Sequence, residues 1–330
     1  MSELHKFLFD GLPVRGMIVR LTDAWKDILQ RRASNSDTGA YPAAVRELLG
    51  EMTAASVLMQ SNIKFNGALV FQIFGDGPVK VAVAEVQADL GLRATASVHG
   101  EMTGATGLAD LVNVNGQGRC AITLDPTDRL PGQQPYQGVV PLSTMDGESL
   151  GKISDVLQQY MRQSEQLDTC IVLAANDEVA AGLLIQRMPL KGQDNLAGAT
   201  ESAQDQQDVN GLNEEYNRIA TLASSLKRDE LLTLDVDTIL RRLFWEEKLL
   251  RFAPHEGEEG PHFACTCSRE RVEGMLRNLG QDEVESVIAE RGHVEVGCDY
   301  CGAQYSFDAV DAGQLFAAVP SQAPGSSSVQ

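Results

Sequence analysis

The sequence predicts an α+β protein: an N-terminal core domain of helices and antiparallel sheets, a helical linker, and a small cysteine-rich domain at the C-terminal end. Three observations lead to this prediction. Strand-like segments in the first 189 residues are joined mainly by short turns, residues 191–211 are polar with few large apolar side chains, and four of the six cysteines lie between Cys265 and Cys301.

The core, residues 1–189, is predicted from apolar periodicity and turn residues. The segment 75–78 reads Gly-Asp-Gly-Pro, but it lies between two strands rather than before a helix, so it predicts a hairpin turn and not a phosphate loop. In order, the predicted elements are a strand at 14–21, a helix around 25–31 capped by Thr22 or Asp23, a long helix after Pro42 with Val45, Leu48, Leu49, Met52, Ala55 and Met59 on one face, strands at 69–74, 79–85, 91–98, 118–124 and 136–142, a helix at 149–163, and strands at 169–175 and 180–188.

The linker, residues 190–260, begins with the polar stretch 191–211, which predicts a flexible linker or insertion. Two amphipathic helices follow, with apolar stripes that need a surface to lie on. The helices either pack permanently on the core or cover an apolar surface conditionally, and the sequence leaves both open. Residues 317–330 are expected to form a disordered tail. The stripes are Leu212, Tyr216, Ile219, Ala223 and Leu226, then Val236, Ile239, Leu240, Leu243 and Phe244 after the candidate N-cap Asp235.

The cysteine-rich domain, residues 261–316, contains a C-x-C pair, Cys265 and Cys267, and a C-x-x-C pair, Cys298 and Cys301. Four thiolates at tetrahedral spacing make a closed structural zinc site, so these four residues are the candidate metal ligands. The residues between the pairs predict a fold that brings the pairs together: a helix from the N-cap Ser268 to Gly280 with Val272, Met275, Leu276 and Leu279 on one face, a short helix with Val284, Val287 and Ile288 that stops at Gly292, and a strand with Val294 and Val296.

The site has two interpretations. A zinc ion that only stabilises the domain would account for the four ligands but not for the C-x-C spacing. Zinc-bound sulfurs are thiolates, which oxidants attack, and a disulfide within a C-x-C is strained and easily reduced. Because metal binding in so small a domain supplies most of its folding free energy, oxidation would unfold it. We therefore expect a reversible redox switch.

Charge and composition exclude several functional classes. The formal net charge of −19 argues against a nucleic-acid partner, since a phosphate backbone requires a basic face. No apolar run reaches the length of a membrane span, and the N-terminal residues lack the apolar region of a signal peptide, so a cytoplasmic protein is expected. In that reducing compartment, clustered cysteines are metal ligands or redox sensors.

Outside the four clustered cysteines, the sequence gives little evidence of catalytic or cofactor-binding residues. Cys120 and Cys170 lie in apolar strands and are expected to be buried and inert. Nucleophile motifs and the Walker phosphate-binding motif do not occur in the sequence, so we predict no catalytic residues and no cofactor other than one zinc ion. The five histidines are scattered along the sequence, and three of them lie near the zinc domain: His255, His262 and His293. Because four cysteines already supply a full set of ligands, these histidines are not expected to bind the metal.

The cysteine motifs, CTCSRERV from 265 and CDYCG from 298, closely resemble the zinc domain of the heat shock protein 33 family of bacterial redox-regulated chaperones. The resemblance extends through FDGLPVRGMIVRLTDAW (9–25), the long helix and hairpin at 48–81, PYQGVVPL (135–142), QSEQLDT (163–169), AGLLIQRMP (181–189) and ELLTLDVDTILRRLFWEE (230–247). The polar stretch 191–211 is longer than the family pattern.

The resemblance implies a function. The reduced protein would bind zinc through the four cysteines and be inactive. Oxidants would form the disulfides Cys265–Cys267 and Cys298–Cys301, zinc would leave, the zinc domain and linker would unfold, and the protein would dimerise. The core would then bind unfolding client proteins without ATP and prevent their aggregation.

Two other classes compete with this holdase. A thiol–disulfide oxidoreductase would use Cys298 and Cys301, although this C-x-x-C does not follow a strand and open a helix as in thioredoxin-like folds. Turnover of insulin disulfides by the zinc-free protein would favour it. The acidic net charge argues against a zinc-dependent module that binds nucleic acid. Absence of salt-sensitive binding to DNA or RNA would exclude this class.

Overall fold

The computed structural model describes residues 1–35, 39–100, 107–129, 132–144, 146–189 and 203–317, without the side chains of 203–210. The chain forms two compact units, Met1–Ala264 and Cys265–Gln330. The predicted fold class is confirmed, since the first unit combines helices with antiparallel sheets and the second contains the four clustered cysteines. Within the described ranges, none of the helices combines the length and apolar character needed to cross a membrane.

The first sheet has the strand order β10-β1-β2-β9-β8, and β11 also pairs with β1. All of its pairings are antiparallel. Side chains alternate between its faces, so that Leu4 and Phe7 of β1 join different apolar clusters. Its strands are β1 Glu3–Phe9, β2 Val14–Leu21, β8 Thr169–Ala175, β9 Ala180–Arg187, β10 Leu249–Arg251 and β11 His255–Glu256.

The second sheet has the strand order β12-β5-β4-β3-β6-β7. Its pairings are antiparallel except that β12 runs parallel to β5. Its strands are β3 Gly67–Phe74, β4 Val79–Val86, β5 Gly91–Val98, β6 Arg119–Pro126, β7 Tyr136–Pro141 and β12 His262–Phe263. The predicted hairpin is therefore confirmed as β3 and β4, with the Gly-Asp-Gly-Pro segment as its turn.

Helix α2, Ala43–Asn62, packs against strands of both sheets and is buried along most of its length. The apolar face predicted for it is buried throughout. Gly50 lets the helix approach the first sheet closely, because a Cβ at this position would lie 2.4 Å from the Cβ of Ala175. The other helices of this part of the unit are α1 Asp23–Ala33, α3 Leu108–Val112 and α4 Ile153–Ser164.

Three helices cover the other face of the first sheet: α5 Ala203–Ser224, α6 Arg228–Thr233 and α7 Val236–Leu243. Apart from Leu212, the residues of both predicted stripes join the apolar cluster on this face of the sheet. Asp235 caps α7, because its side chain accepts a hydrogen bond from the backbone N–H of Thr238. We call the apolar residues between this face and the helices the covered cluster. It includes Phe7, Phe9, Ile18, Leu183 and Ile185 from the strands and Tyr216, Ile219, Leu231, Leu240, Leu243 and Phe244 from the helical region.

The prediction of a flexible insertion over 191–211 is wrong for its last part, since 203–211 belongs to α5. Its alanine and glutamines are good helix formers, and the polar residues extend the helix that the stripe from Leu212 begins. Residues 190–202 and the tail beyond 317 lie outside the described residues. The domain bounds 1–189, 190–260, 261–316 and 317–330 stay predictions.

The second unit contains α8 Arg269–Leu279, α9 Gln281–Arg291, the hairpin of β13 Val294–Gly297 and β14 Gln304–Phe307, and α10 Ala309–Phe316. The predicted N-cap Ser268 and the stops at Gly280 and Gly292 are confirmed. The apolar face predicted for α8 is only partly buried, since Met275 is 48% exposed and Leu279 is 56% exposed. The unit is too small to cover the whole apolar face of α8, and only Leu276 of that stripe is fully buried.

Candidate metal centre

The two cysteine pairs are held by short turns with satisfied backbone groups. After the C-x-C, the Ser268 side chain accepts from the backbone N–H of Arg271 at 3.3 Å and fixes the start of α8. The C-x-x-C forms the turn of the β13–β14 hairpin, where the Cys298 N–H donates to Ala303 and the Gly302 N–H donates to Cys298, both at 2.8 Å. Gly302 has a φ of +74°, which favours glycine.

The fold brings the sulfurs of all four predicted ligands together. Their Sγ atoms lie within 4.8 Å of one another. The Sγ of Cys265 lies 3.7 Å from that of Cys298, and the Sγ of Cys267 lies 3.3 Å from that of Cys301. A tetrahedron with metal–sulfur bonds of about 2.3 Å has sulfur–sulfur edges of about 3.8 Å, so this donor set fits a four-coordinate soft metal ion such as zinc.

The cluster favours ionisation of one cysteine and opposes ionisation of two others. Burial opposes ionisation of Cys267, but hydrogen bonds from Tyr305 and the other cysteines outweigh it and lower its pKa to about 7. Burial raises the pKa of Cys298 and of Cys301. Because thiolates this close repel one another, all four ionise together only when a cation offsets their charge. The cluster is therefore suited to hold a divalent metal ion.

Sequence analysis did not identify Tyr305 as part of the site. Its hydroxyl group donates to the Sγ of Cys267 at 3.1 Å, and this bond, as its largest cause, raises the pKa of Tyr305 to about 12. Such outer hydrogen bonds orient metal ligands. No pattern in the sequence separates Tyr305 from an ordinary aromatic residue of a short strand.

No histidine belongs to the cluster among the residues that the structure describes. His262 lies 3.0 Å from the carbonyl oxygen of Gly260, and His293 lies 3.8 Å from Glu295. Cys120 and Cys170 are buried in the first unit, as predicted, and burial raises the pKa of both thiols. The geometry also argues against a thiol–disulfide oxidoreductase, because the C-x-x-C pair lies in a hairpin turn and not at the start of a helix.

Comparison with known proteins gives a consistent result. A family model described as Hsp33 protein matches residues 2–308. The 33 kDa chaperonin of Chromobacterium violaceum is 44% identical over 315 residues, covering 96% of this chain and 94% of that protein. The 33 kDa chaperonin of Methylobacillus flagellatus is 42% identical over 316 residues, with coverage of 96% and 94%.

A solved structure supports the fold. The crystal structure of the 33 kDa chaperonin, a heat shock protein 33 homolog, from Thermotoga maritima matches with a TM-score of 0.70. The match covers 96% of this chain and 98% of that chain at 19% sequence identity. At this identity the likeness concerns the fold alone.

Proposed function

The chain belongs to the Hsp33 family, and from this membership we propose that it is a redox-regulated molecular chaperone. It binds unfolding proteins without ATP and prevents their aggregation under oxidative stress. The observation that carries the proposal is the four-cysteine cluster in a unit whose described residues include only six buried apolar side chains. A unit with so small a core depends on its metal site for stability.

In the proposed reduced form, Cys265, Cys267, Cys298 and Cys301 hold one zinc ion, which supplies charge neutralisation and a tetrahedral crosslink. Tyr305 supports Cys267 through its hydroxyl group, and the short turns hold the two pairs at their spacing. In this form α5, α6 and α7 lie on the covered cluster, and the protein is inactive.

In the proposed oxidised form, the disulfides are Cys265–Cys267 and Cys298–Cys301. Each pair of zinc-bound thiolates gives up two electrons as its S–S bond forms. One hydrogen peroxide molecule takes up these electrons together with two protons from the solvent and becomes two water molecules, and Zn²⁺ is released. The cluster itself permits any pairing, since all four sulfurs lie within 4.8 Å, so this pairing rests on the family resemblance. Disulfide sulfurs no longer serve as thiolate ligands, and the second unit then loses its stabilising crosslink.

The switch acts on binding through the helices that cover the first sheet. Beyond α7, residues 244–264 connect these helices covalently to the second unit. When that unit unfolds, we propose that α5–α7 detach and open the covered cluster to clients. The cluster is suited to bind apolar segments, since it combines aromatic and branched side chains of β1, β2 and β9.

The partners follow from the same proposal. They are unfolded or partly folded client proteins and, in the oxidised form, a second copy of the chain. We expect no nucleic-acid or membrane partner, no catalytic activity and a cytoplasmic location. The net charge of −19 keeps a complex with an exposed client soluble.

The test is light scattering of a client protein that unfolds on heating, without ATP. Dithiothreitol-reduced, zinc-loaded protein is compared with protein treated with peroxide at elevated temperature. We expect suppression of aggregation only by the oxidised form. Equal suppression by both forms would indicate a constitutive chaperone with a structural zinc ion, and suppression by neither would contradict the proposal.

A further inference from the structure

A cavity of about 270 Å³ lies in the first unit between α2, the start of α4, α3 and α6. Its volume falls just below the roughly 300–1,000 Å³ of sites for small organic ligands, so it suits a single amino-acid side chain. Its walls are mainly apolar, from Leu48, Leu108, Leu111, Ile153 and Leu173, and its charged groups are Glu47, Glu51, Lys152 and Arg228.

Arg228 already places a guanidinium group at this cavity. One nitrogen lies 2.8 Å from a carboxylate oxygen of Glu47, and another donates to the carbonyl oxygen of Ala175 at 2.6 Å. Arg228 is the first residue of α6, which belongs to the helices that cover the first sheet, whereas Glu47 and Ala175 belong to α2 and β8. The cavity is therefore built to accept a guanidinium group, and the group it holds comes from a segment proposed to detach.

Glu51 is a second, unused carboxylate in the same cavity. Among the described residues it has no hydrogen-bond or ion-pair partner, although it is partly buried. Burial, followed by the neighbouring charge of Glu47, raises the pKa of Glu51 to about 7, against the weaker influence of Arg228 and Lys152. Asp155 of α4 also raises it. An added cation beside Glu51 would relieve this repulsion.

We propose that this cavity binds the cationic end of a lysine or arginine side chain of an unfolding client, and that Arg228 blocks its mouth while α6 is docked. The apolar walls contact the aliphatic stem of the client side chain, and Glu47 and Glu51 pair with its charged end. This inference rests on the proposed function, because Arg228 leaves the mouth when α6 detaches. It adds a site for basic residues to the apolar covered cluster.

The test measures fluorescence anisotropy of two labelled, unstructured peptides with the full-length protein. One peptide is rich in lysine and arginine, and the other carries glutamine at those positions. With oxidised protein, we expect the doubly substituted E47Q/E51Q variant to bind the basic peptide about tenfold more weakly than the unsubstituted protein does, with binding of the neutral peptide unchanged. The E148Q/E246Q variant removes two exposed carboxylates outside the cavity and serves as the charge-matched control. Equal losses in both variants would overturn the proposal, since only the overall charge would then matter.

A second arm does not depend on oxidation. In the reduced protein, R228Q is expected to raise affinity for the basic peptide several-fold, by opening the mouth of the cavity, and to leave the neutral peptide unaffected. No gain in affinity would overturn the blocking role. This arm separates the two proposals, because it reports on the cavity even if the oxidised protein fails to suppress aggregation.

Free arginine tests whether the ligand belongs to a polypeptide. At the concentration of the peptide, free arginine is expected not to displace the basic peptide from the oxidised protein, because it lacks the neighbouring contacts of a chain. Displacement at that concentration would overturn the assignment to a client and indicate a site for a small cationic metabolite.

Discussion

Among the residues that the structure describes, the first unit buries more than forty apolar residues in its central cluster, whereas the second unit buries six. The first unit is stabilised by α2 packed against two sheets, so its stability is distributed over many side chains. The second unit brings four sulfurs together, two from its N-terminal end and two from the turn of its β13–β14 hairpin. Under the proposed function, one chain therefore combines a unit stabilised by a large apolar core with a unit whose fold depends on a metal ion held by four sulfurs.

Replacing Cys298 and Cys301 with serine tests this contrast most directly. The loss of two ligands is expected to abolish tight zinc binding and to remove stabilisation on the order of 10 kcal/mol from the second unit. Zinc content, together with hydrogen exchange, measures both effects. We expect rapid exchange throughout 265–317 and continued protection of α2.

The control is substitution of Cys120 and Cys170 with alanine, which is expected to leave one zinc ion bound. One tightly held zinc ion in the Cys298→Ser, Cys301→Ser protein would show that these residues are not ligands.

Polar substitutions in α7 test whether this helix is only weakly bound to the rest of the first unit. Leu240→Ser and Phe244→Ser each remove a buried side chain from the covered cluster, at a cost of about 3 kcal/mol or more. We expect these variants to suppress client aggregation without oxidant while the second unit keeps its zinc. Light scattering with reduced protein measures the gain.

Trp245→Ser is the matched control, because Trp245 follows Phe244 directly and is 73% exposed. If the α7 variants stayed fully inactive when reduced, the covering role of this helix would be wrong.

Ionisation of Glu51 is expected to change the stability of the first unit only. Its pKa is raised from 4.5 to about 7, so its contribution to stability is fully present below pH 4.5 and is lost as pH rises through 7. Glu51→Gln is therefore expected to be more stable than the unsubstituted protein at pH 8, by on the order of 1–3 kcal/mol, and about equally stable at pH 4.5.

Urea unfolding followed by tryptophan fluorescence measures this difference, since both tryptophans, Trp25 and Trp245, lie in the first unit. Glu148→Gln, at an exposed position, is the control. A difference of equal size at both pH values would contradict the assignment to Glu51 ionisation.

The smallest expected effect is that of Tyr305→Phe, which removes the hydroxyl donor to Cys267. Loss of a hydrogen bond to a metal ligand is expected to lower zinc affinity about tenfold while leaving the fold intact. Competition with a chromogenic chelator measures the change. An unchanged affinity would mean that the four sulfurs are positioned without this hydroxyl group.

The sequence predicts a strand, helix or ligand set correctly when the spacing that identifies it lies within one segment of the chain. Strands 14–21 and 169–175 match β2 and β8 residue for residue, and the spacing of Cys265, Cys267, Cys298 and Cys301 predicted the cluster. Strand β1 was missed, because His5 and Lys6 interrupt its apolar pattern, and β10–β12 were missed because strands of two or three residues have no periodicity.

Features that depend on distant residues were beyond the sequence patterns. Arg228 and Glu47 are far apart in sequence and meet only because α6 docks beside α2. The exposure of Met275 and Leu279 depends on how few residues surround α8, which helical spacing does not reveal. Local periodicity therefore predicts which face of a helix is apolar, and tertiary structure decides how much of it is buried.

The shortest strands of the first unit lie at sheet edges. Strand β10, three residues long, pairs with β1 at the edge of the first sheet, and β12, two residues long, pairs with β5 at the edge of the second. Both belong to the stretch between α7 and the cysteines, so a single stretch of chain blocks one edge of each sheet. Its removal would leave unpaired main-chain N–H and C=O groups along β1 and β5. Such edges add an extended polypeptide through backbone hydrogen bonds, whatever its side chains.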